Sequence, residues 1–266
     1  MTLFDLAGRA TKSLAAALFV LSVPGAVFAE PIAPQPRCAT PHDLMRLGGS
    51  LAHVTRKIEK QQPVTIVAIG SSSTAGAGAS SPAASYPSRL GVELEKQFPA
   101  QRFSVINQGV NGEEVPDMLK RFDSAVIAQK PDLVLWQLGT NSLIRDHAMT
   151  GRGASIRDGL NRIRAAGADV ILIDPQYAPK VIAKPLAPQM VDFIANVSKQ
   201  EDVGLFRRFE AMKRWNEDGL PFSAFLIADG LHMNDWGYAC MAHHLGVAIA
   251  EAVKRPIVAA KASNAR

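Results

Sequence analysis

Four short segments of the 266-residue chain carry groups suited to acyl-transfer chemistry. Gly70-Ser71-Ser72-Ser73-Thr74 presents adjacent hydroxyls, each a weak nucleophile until a base takes its proton. Asp229-Gly230-Leu231-His232 sets a carboxylate three residues before an imidazole, across a glycine turn. That spacing lets the carboxylate fix the ring's tautomer and orientation while the other ring nitrogen faces a nucleophile. Gly139-Thr140-Asn141-Ser142 offers a side-chain amide donor at Asn141. In Asn107-Gln108-Gly109-Val110-Asn111-Gly112, glycines allow a backbone N–H to approach a ligand closely. Each segment also has an ordinary explanation: turn glycines, a loop asparagine with a local hydrogen bond, or Asp229 or Asn234 capping a helix that begins near Asp235. They gain weight together only if the fold collects them.

The pattern of elements predicts that it does. Val64 to Gly70 is an apolar, β-branched run ending in glycine, as a strand buried on both faces reads. Phe103 to Asn107, Leu133 to Leu138, Val170 to Ile173 and Val203 to Phe206 read the same way. Helical spacing runs through Tyr86 to Phe98, Val115 to Gln129, Gly153 to Ala166 and Pro188 to Lys199. Further helices are expected from His42 to Lys60 and from Asp235 to Lys254. Alternating strands and helices make a parallel sheet. The expected fold is a three-layer α/β/α sandwich around a flavodoxin-like sheet of about five strands. Ligands bind at the carboxyl edge of such a sheet, where the Gly70, Asn107 and Gly139 segments each follow a strand. Ala75 to Ser85, rich in small residues, is expected to be a flexible loop.

A glycine-rich turn after the first strand can also cradle phosphate. This one lacks both GxGxxG and Gly-Lys-Ser/Thr, and it presents serine rather than glycine. Taken in order, the four segments resemble the SGNH (GDSL-type) hydrolases, named for blocks containing Ser, Gly, Asn and His. The resemblance runs from the first strand to the final helix. It implies a serine esterase with Ser72 as nucleophile, His232 as base and Asp229 as its partner. It also implies an oxyanion hole made by the backbone N–H groups of Ser72 and Gly112 and the amide of Asn141. Two positions depart from the family's pattern. Ser71 stands where an aspartate usually precedes the nucleophile, and Ser142 where many relatives carry aspartate; the first departure is expected to alter loop hydrogen bonding more than to abolish activity. Ser71 and Ser73 compete with Ser72 as nucleophile, and His147, His243 and His244 are poorer base candidates. No metal or organic cofactor is required.

The chain begins with Arg9 and Lys12, a Leu14 to Val23 run that is apolar except for Ser22, and a break leading to Val27-Phe28-Ala29. This is the order of a secretory leader, expected to span residues 1–29. Pro24 and Gly25 interrupt the run short of the roughly 20 apolar residues of a membrane span. Residues 30–62 are then expected to be an extension with a helix packed on the domain, 63–256 the hydrolase domain, and 257–266 a disordered tail. The net charge of +5 is spread without a Lys/Arg block, unlike a nucleic-acid footprint. Cys38 and Cys240 are the only cysteines. An oxidising compartment would let them pair, two separate buried thiols being the alternative, and neither sits in a Cys/His cluster of the zinc-binding kind. The expected substrate is a small-molecule or glycan ester, with deacetylation of a cell-envelope or extracellular carbohydrate foremost. A lysophospholipase, thioesterase, arylesterase or O-acetyltransferase on the same scaffold stays open, as does a non-catalytic glycan-binding envelope protein. So does the oligomeric state.

Overall fold

The computed structural model describes residues 37–147 and 152–255; the expected leader and the 257–266 tail lie outside them. In chain order the elements are α1 (His42–Met45), α2 (Ala52–Glu59), β1 (Val64–Gly70), α3 (Ser72–Ala75), α4 (Tyr86–Gln97), β2 (Phe103–Gly109), α5 (Val115–Lys120), α6 (Phe122–Ala125) and β3 (Leu133–Gln137). Then follow α7 (Thr140–Ile144), α8 (Arg152–Ala165), β4 (Asp169–Ile173), α9 (Pro179–Ile182), α10 (Ala187–Gln200), β5 (Gly204–Phe206), α11 (Arg208–Glu217), α12 (Phe222–Phe225) and α13 (Asp235–Lys254).

The five strands pair in parallel in the order β2-β1-β3-β4-β5. The runs VTIVAIG and LVLWQ become the neighbouring strands β1 and β3, almost wholly buried, because helices cover both faces of a parallel sheet. The step from β1 to β2 runs opposite to every later step. Right-handed crossovers therefore put α4 on one face and α5, α8 and α10 on the other. Helices α13 and α2 complete the first layer, α13 packing on both α4 and α2. The direction of travel reverses between β1 and β3, so a crevice opens at their carboxyl ends. Register sets Gly70 beside Gly109 and Ile69 beside Trp136, so the loops after β1, β2 and β3 emerge together.

Three expectations are corrected. The helix expected from His42 to Lys60 is broken into α1 and α2, because Gly49 adopts φ +61° against the Val203 backbone, where a Cβ would lie 2.7 Å from the Val203 carbonyl carbon. The helix expected over Val115 to Gln129 is divided into α5, α6 and a one-turn 3-10 helix, Ile127–Gln129. At the first break, Arg121 turns back to hold Glu113 and the Gln108 carbonyl. The stretch from Ala75 to Ser85 is tied down rather than free. The Ser80 N–H and Oγ donate to Asp235 at 2.7 and 2.5 Å, and Tyr238 Oη donates to the Ala77 carbonyl at 2.6 Å.

Cys38 and Cys240 form a disulfide that joins the N-terminal arm to α13 across 202 residues of sequence. His244, one turn beyond Cys240, brings its Nε2 to 3.2 Å from Cys38 Sγ. Cys38, Cys240 and His244 thus come together in space, a proximity invisible in linear spacing, but the two sulfurs are bonded to each other and are not thiolates. Thr40 and the stacked Trp215 ring flank that imidazole, and burial pushes its pKa down to about 4. A loop this long gives the bond a large entropic effect on the unfolded chain. Reduction, or Cys38→Ser with Cys240→Ser, is expected to cost about 2 to 5 kcal/mol. Thermal melts with and without reductant should then differ by roughly 5 to 15 °C; superimposed melts would show that the bond constrains nothing. Among the described residues no helix is long and apolar enough to cross a membrane.

Candidate active site

β1 ends at Gly70, and after Ser71 the chain turns straight into α3, whose first residue is Ser72. The turn is tight enough to demand glycine at 70, where a Cβ would lie 2.2 Å from Thr74 Oγ1 and 2.8 Å from Gln137 Cβ. Of the three serines, Ser71 and Ser73 are buried, at 2% and 1% exposure, while Ser72 is half-buried. Ser72 Oγ lies 2.8 Å from His232 Nε2. His232 Nδ1 lies 2.5 Å from Asp229 Oδ2, which sets the ring's tautomer with the proton on Nδ1. Asp229 Oδ1 accepts from the N–H groups of Leu231 and His232, both at 2.9 Å. Partial burial works against the Asp229 charge, yet these hydrogen bonds prevail and hold its pKa below the usual carboxylate value.

The segment carrying Asp229 and His232 is a small antiparallel turn. A bridge between Leu226 and Met233 closes it, and the Ile227 N–H donates to the His232 carbonyl at 2.9 Å. The capping alternative divides between its two candidates. Asn234 does cap α13, accepting from Gly237 N–H at 3.0 Å, whereas Asp229 turns to the imidazole.

The loop after β2 and the helix after β3 meet each other at the carboxyl edge of the sheet. Asn141 Nδ2 donates to the Glu113 carbonyl at 2.9 Å, leaving a second amide hydrogen for another acceptor. Gly112 adopts φ +81°, a conformation that favours glycine, and Arg145 Nη2 stands 3.3 Å from where its Cβ would be. Buried Glu114 fastens the two segments together, accepting from Ser142 Oγ at 2.8 Å and from Arg145 Nη1 at 2.9 Å. His147 Nδ1 lies 2.8 Å from the same carboxylate, so His147 belongs to this brace and not to Ser72. His243 pairs with Glu93 at 2.9 Å and His244 lies by the disulfide. Sequence reasoning missed Glu114, and it missed Gln137, whose Oε1 accepts from the N–H and Oγ of Ser71 at 2.9 and 2.8 Å. Ser71, in the place of the family's usual aspartate, thus has a built partner. The one available signal was a polar residue closing the otherwise apolar run LVLWQ.

A strand-to-helix serine, an imidazole and a carboxylate in hydrogen-bonded series at this edge of a 2-1-3-4-5 sheet form the arrangement that the SGNH resemblance implies. The chain belongs to the Non-GDSL lipase-like family, whose profile matches residues 37–255. No curated protein matches the sequence. Among solved structures it is similar to a two-domain esterase active on acetylated mannans, with a TM-score of 0.64 and 18% identity over 78% of this chain and 56% of the other. The chain thus spans little more than half the length of that protein. It is also similar to the acetylxylan esterase Axe2 of Geobacillus stearothermophilus, with a TM-score of 0.57 and 19% identity over 72% of this chain and 94% of the other. At these identities the likeness is one of fold, and the α/β/α sandwich read from the sequence is the shared one.

Proposed function

We propose that the protein is an exported serine esterase that deacetylates a cell-envelope or extracellular carbohydrate through an acyl-enzyme on Ser72. The observation that carries this reading is the continuous line from Ser72 Oγ through His232 to Asp229, at 2.8 and 2.5 Å. In the first half-reaction His232 Nε2 takes the Ser72 proton as Oγ attacks the ester carbonyl, and Asp229 stabilises the imidazolium. The oxyanion lies among the N–H groups of Ser72 and Gly112 and the free amide hydrogen of Asn141. Collapse breaks the bond to the sugar oxygen, which leaves with the proton from His232. Water then gives its proton to His232 and attacks the acyl carbon, and collapse releases acetate and returns the proton to Ser72.

Export is supported by the leader-like order of residues 1–29. The acetyl-carbohydrate substrate is supported by the fold shared with esterases of acetylated mannan and xylan. The test is acetate release from a panel of acetylated glycans and acetylated peptidoglycan, run beside medium-chain p-nitrophenyl esters. Acetate release that falls away as the acyl chain lengthens is expected. Preference for longer chains would turn the reading toward a lysophospholipase or thioesterase. A protein that neither hydrolyses any ester nor reacts with phenylmethanesulfonyl fluoride would be the glycan-binding alternative.

A further inference from the structure

Behind the line of Ser72, His232 and Asp229, four buried side chains form a hydrogen-bonded series that runs in one direction. Ser71 donates to Gln137 Oε1 from both its N–H and its Oγ. Gln137 Nε2 donates to Thr140 Oγ1 at 3.4 Å, and Thr140 Oγ1 donates to Gln176 Oε1 at 2.8 Å. Gln176 Nε2 then donates to the Leu231 carbonyl at 3.3 Å. Ser71, Gln137, Thr140 and Gln176 are each at most 2% exposed, so water does not compete for these groups. The polarity is fixed at both ends, by a backbone N–H that can only donate and a backbone carbonyl that can only accept. Flipping the Gln137 amide would point its NH2 at the donors of Ser71, and flipping that of Gln176 would set its oxygen against the Leu231 carbonyl.

The order of the residues gives the series its meaning. Ser71 immediately precedes Ser72, Thr140 immediately precedes Asn141, and Leu231 immediately precedes His232. Gln137 at the end of β3 and Gln176 after β4 bridge the gaps between these loops. We infer that Gln137, Thr140 and Gln176 are positioning residues that hold the nucleophile, the amide donor and the imidazole in a common register. The inference rests on the serine-esterase reading. Hydrogen bonds in series polarise one another in a low-dielectric interior, and a displacement of about 1 Å at reacting groups can cost about 100-fold in rate. Ser71 fits this role where aspartate would not, since a carboxylate there would face the Gln137 amide oxygen, acceptor against acceptor.

Thr140 gives the cleanest test, made in the full chain. Thr140→Val keeps the shape of the side chain and removes the hydroxyl; Thr140→Ser keeps the hydroxyl and removes a methyl. Thr140→Val is expected to lower kcat on p-nitrophenyl acetate by about 10- to 100-fold, with KM within about 3-fold of the parent. Thr140→Ser should retain kcat within about 3-fold, even where its melting temperature falls. A packing role reverses that order, and finding Thr140→Ser slower than Thr140→Val overturns the inference. A second readout needs no turnover: the NMR resonances of His232 Nδ1–H and the Asn141 side-chain amide. Both should move in Thr140→Val and stay near the parent's in Thr140→Ser, and unmoved resonances in Thr140→Val also overturn it. A parent inactive on every ester would remove the esterase reading, while the resonances would still decide whether the series couples the loops.

Discussion

Ser72→Ala is expected to lower kcat on p-nitrophenyl acetate by about 10⁴- to 10⁶-fold while the protein keeps its fold. The proposed mechanism makes the loss large, because no other group in the site can take the place of Ser72. Ser71 is committed to Gln137, and Ser73 is buried. Only Ser72 Oγ has an imidazole nitrogen at 2.8 Å. Stability should change little, since the removed hydroxyl is half-buried and its partner His232 keeps the bond to Asp229. Asn141→Ala provides the contrast. One oxyanion donor is typically worth about 100- to 1,000-fold, so a measurable rate should remain. Mass spectrometry of the protein after reaction with a fluorophosphonate should place the adduct on Ser72. Turnover by Ser72→Ala at the parent's rate would falsify the mechanism.

Asp229→Asn should cost about 10³- to 10⁴-fold in kcat at neutral pH, close to the worth of a carboxylate that orients the base. The geometry explains why so small a change is so damaging. The carboxylate accepts at both oxygens, from two backbone N–H groups on one and from His232 Nδ1 on the other. Asparagine has one oxygen for these two places. If the oxygen faces the backbone, the NH2 faces Nδ1 and forces the ring proton onto Nε2, where it blocks acceptance from Ser72. If it faces Nδ1, the NH2 is driven against two donors. In the parent, hydrogen bonding keeps the Asp229 pKa below its ordinary value. Its stabilising effect is therefore complete above the ordinary carboxylate pKa and is lost only as pH falls through the lowered one. The acid limb of the kcat/KM profile should not arise from Asp229. A profile whose acid limb disappears in Asp229→Asn, with little loss of rate at neutral pH, would contradict this.

The parts legible in the sequence are those whose residue types reveal their surroundings. β1 is read to its last residue because a strand covered on both faces is nearly continuous in apolar residues, broken here only by Thr65. The Ser72 loop and the Asp229/His232 turn stand out because a strand-end serine and an Asp/His pair bring chemistry that scaffold loops seldom combine, and the structure sets them in hydrogen-bonded series. What escapes is set by partners distant in the chain. The break between α1 and α2 depends on Gly49 meeting Val203. Helical spacing is present at Phe209, Met212 and Trp215 of α11, yet Arg208 in the first buried position masks it. Glu114, Gln137 and Gln176 look like ordinary polar residues, because their meaning lies in contacts spanning 28 to 66 residues.

The bond between Cys38 and Cys240 also constrains how the molecule is made. Its halves lie near opposite ends of the described chain, so Cys38 has no partner until α13 has emerged and docked beside α4. The bond therefore seals a finished sheet instead of guiding its assembly. With only two cysteines a single intramolecular pairing exists, and there are no wrong pairs to reshuffle. Oxidative maturation of the monomer thus calls for an electron acceptor and gains nothing from a disulfide isomerase.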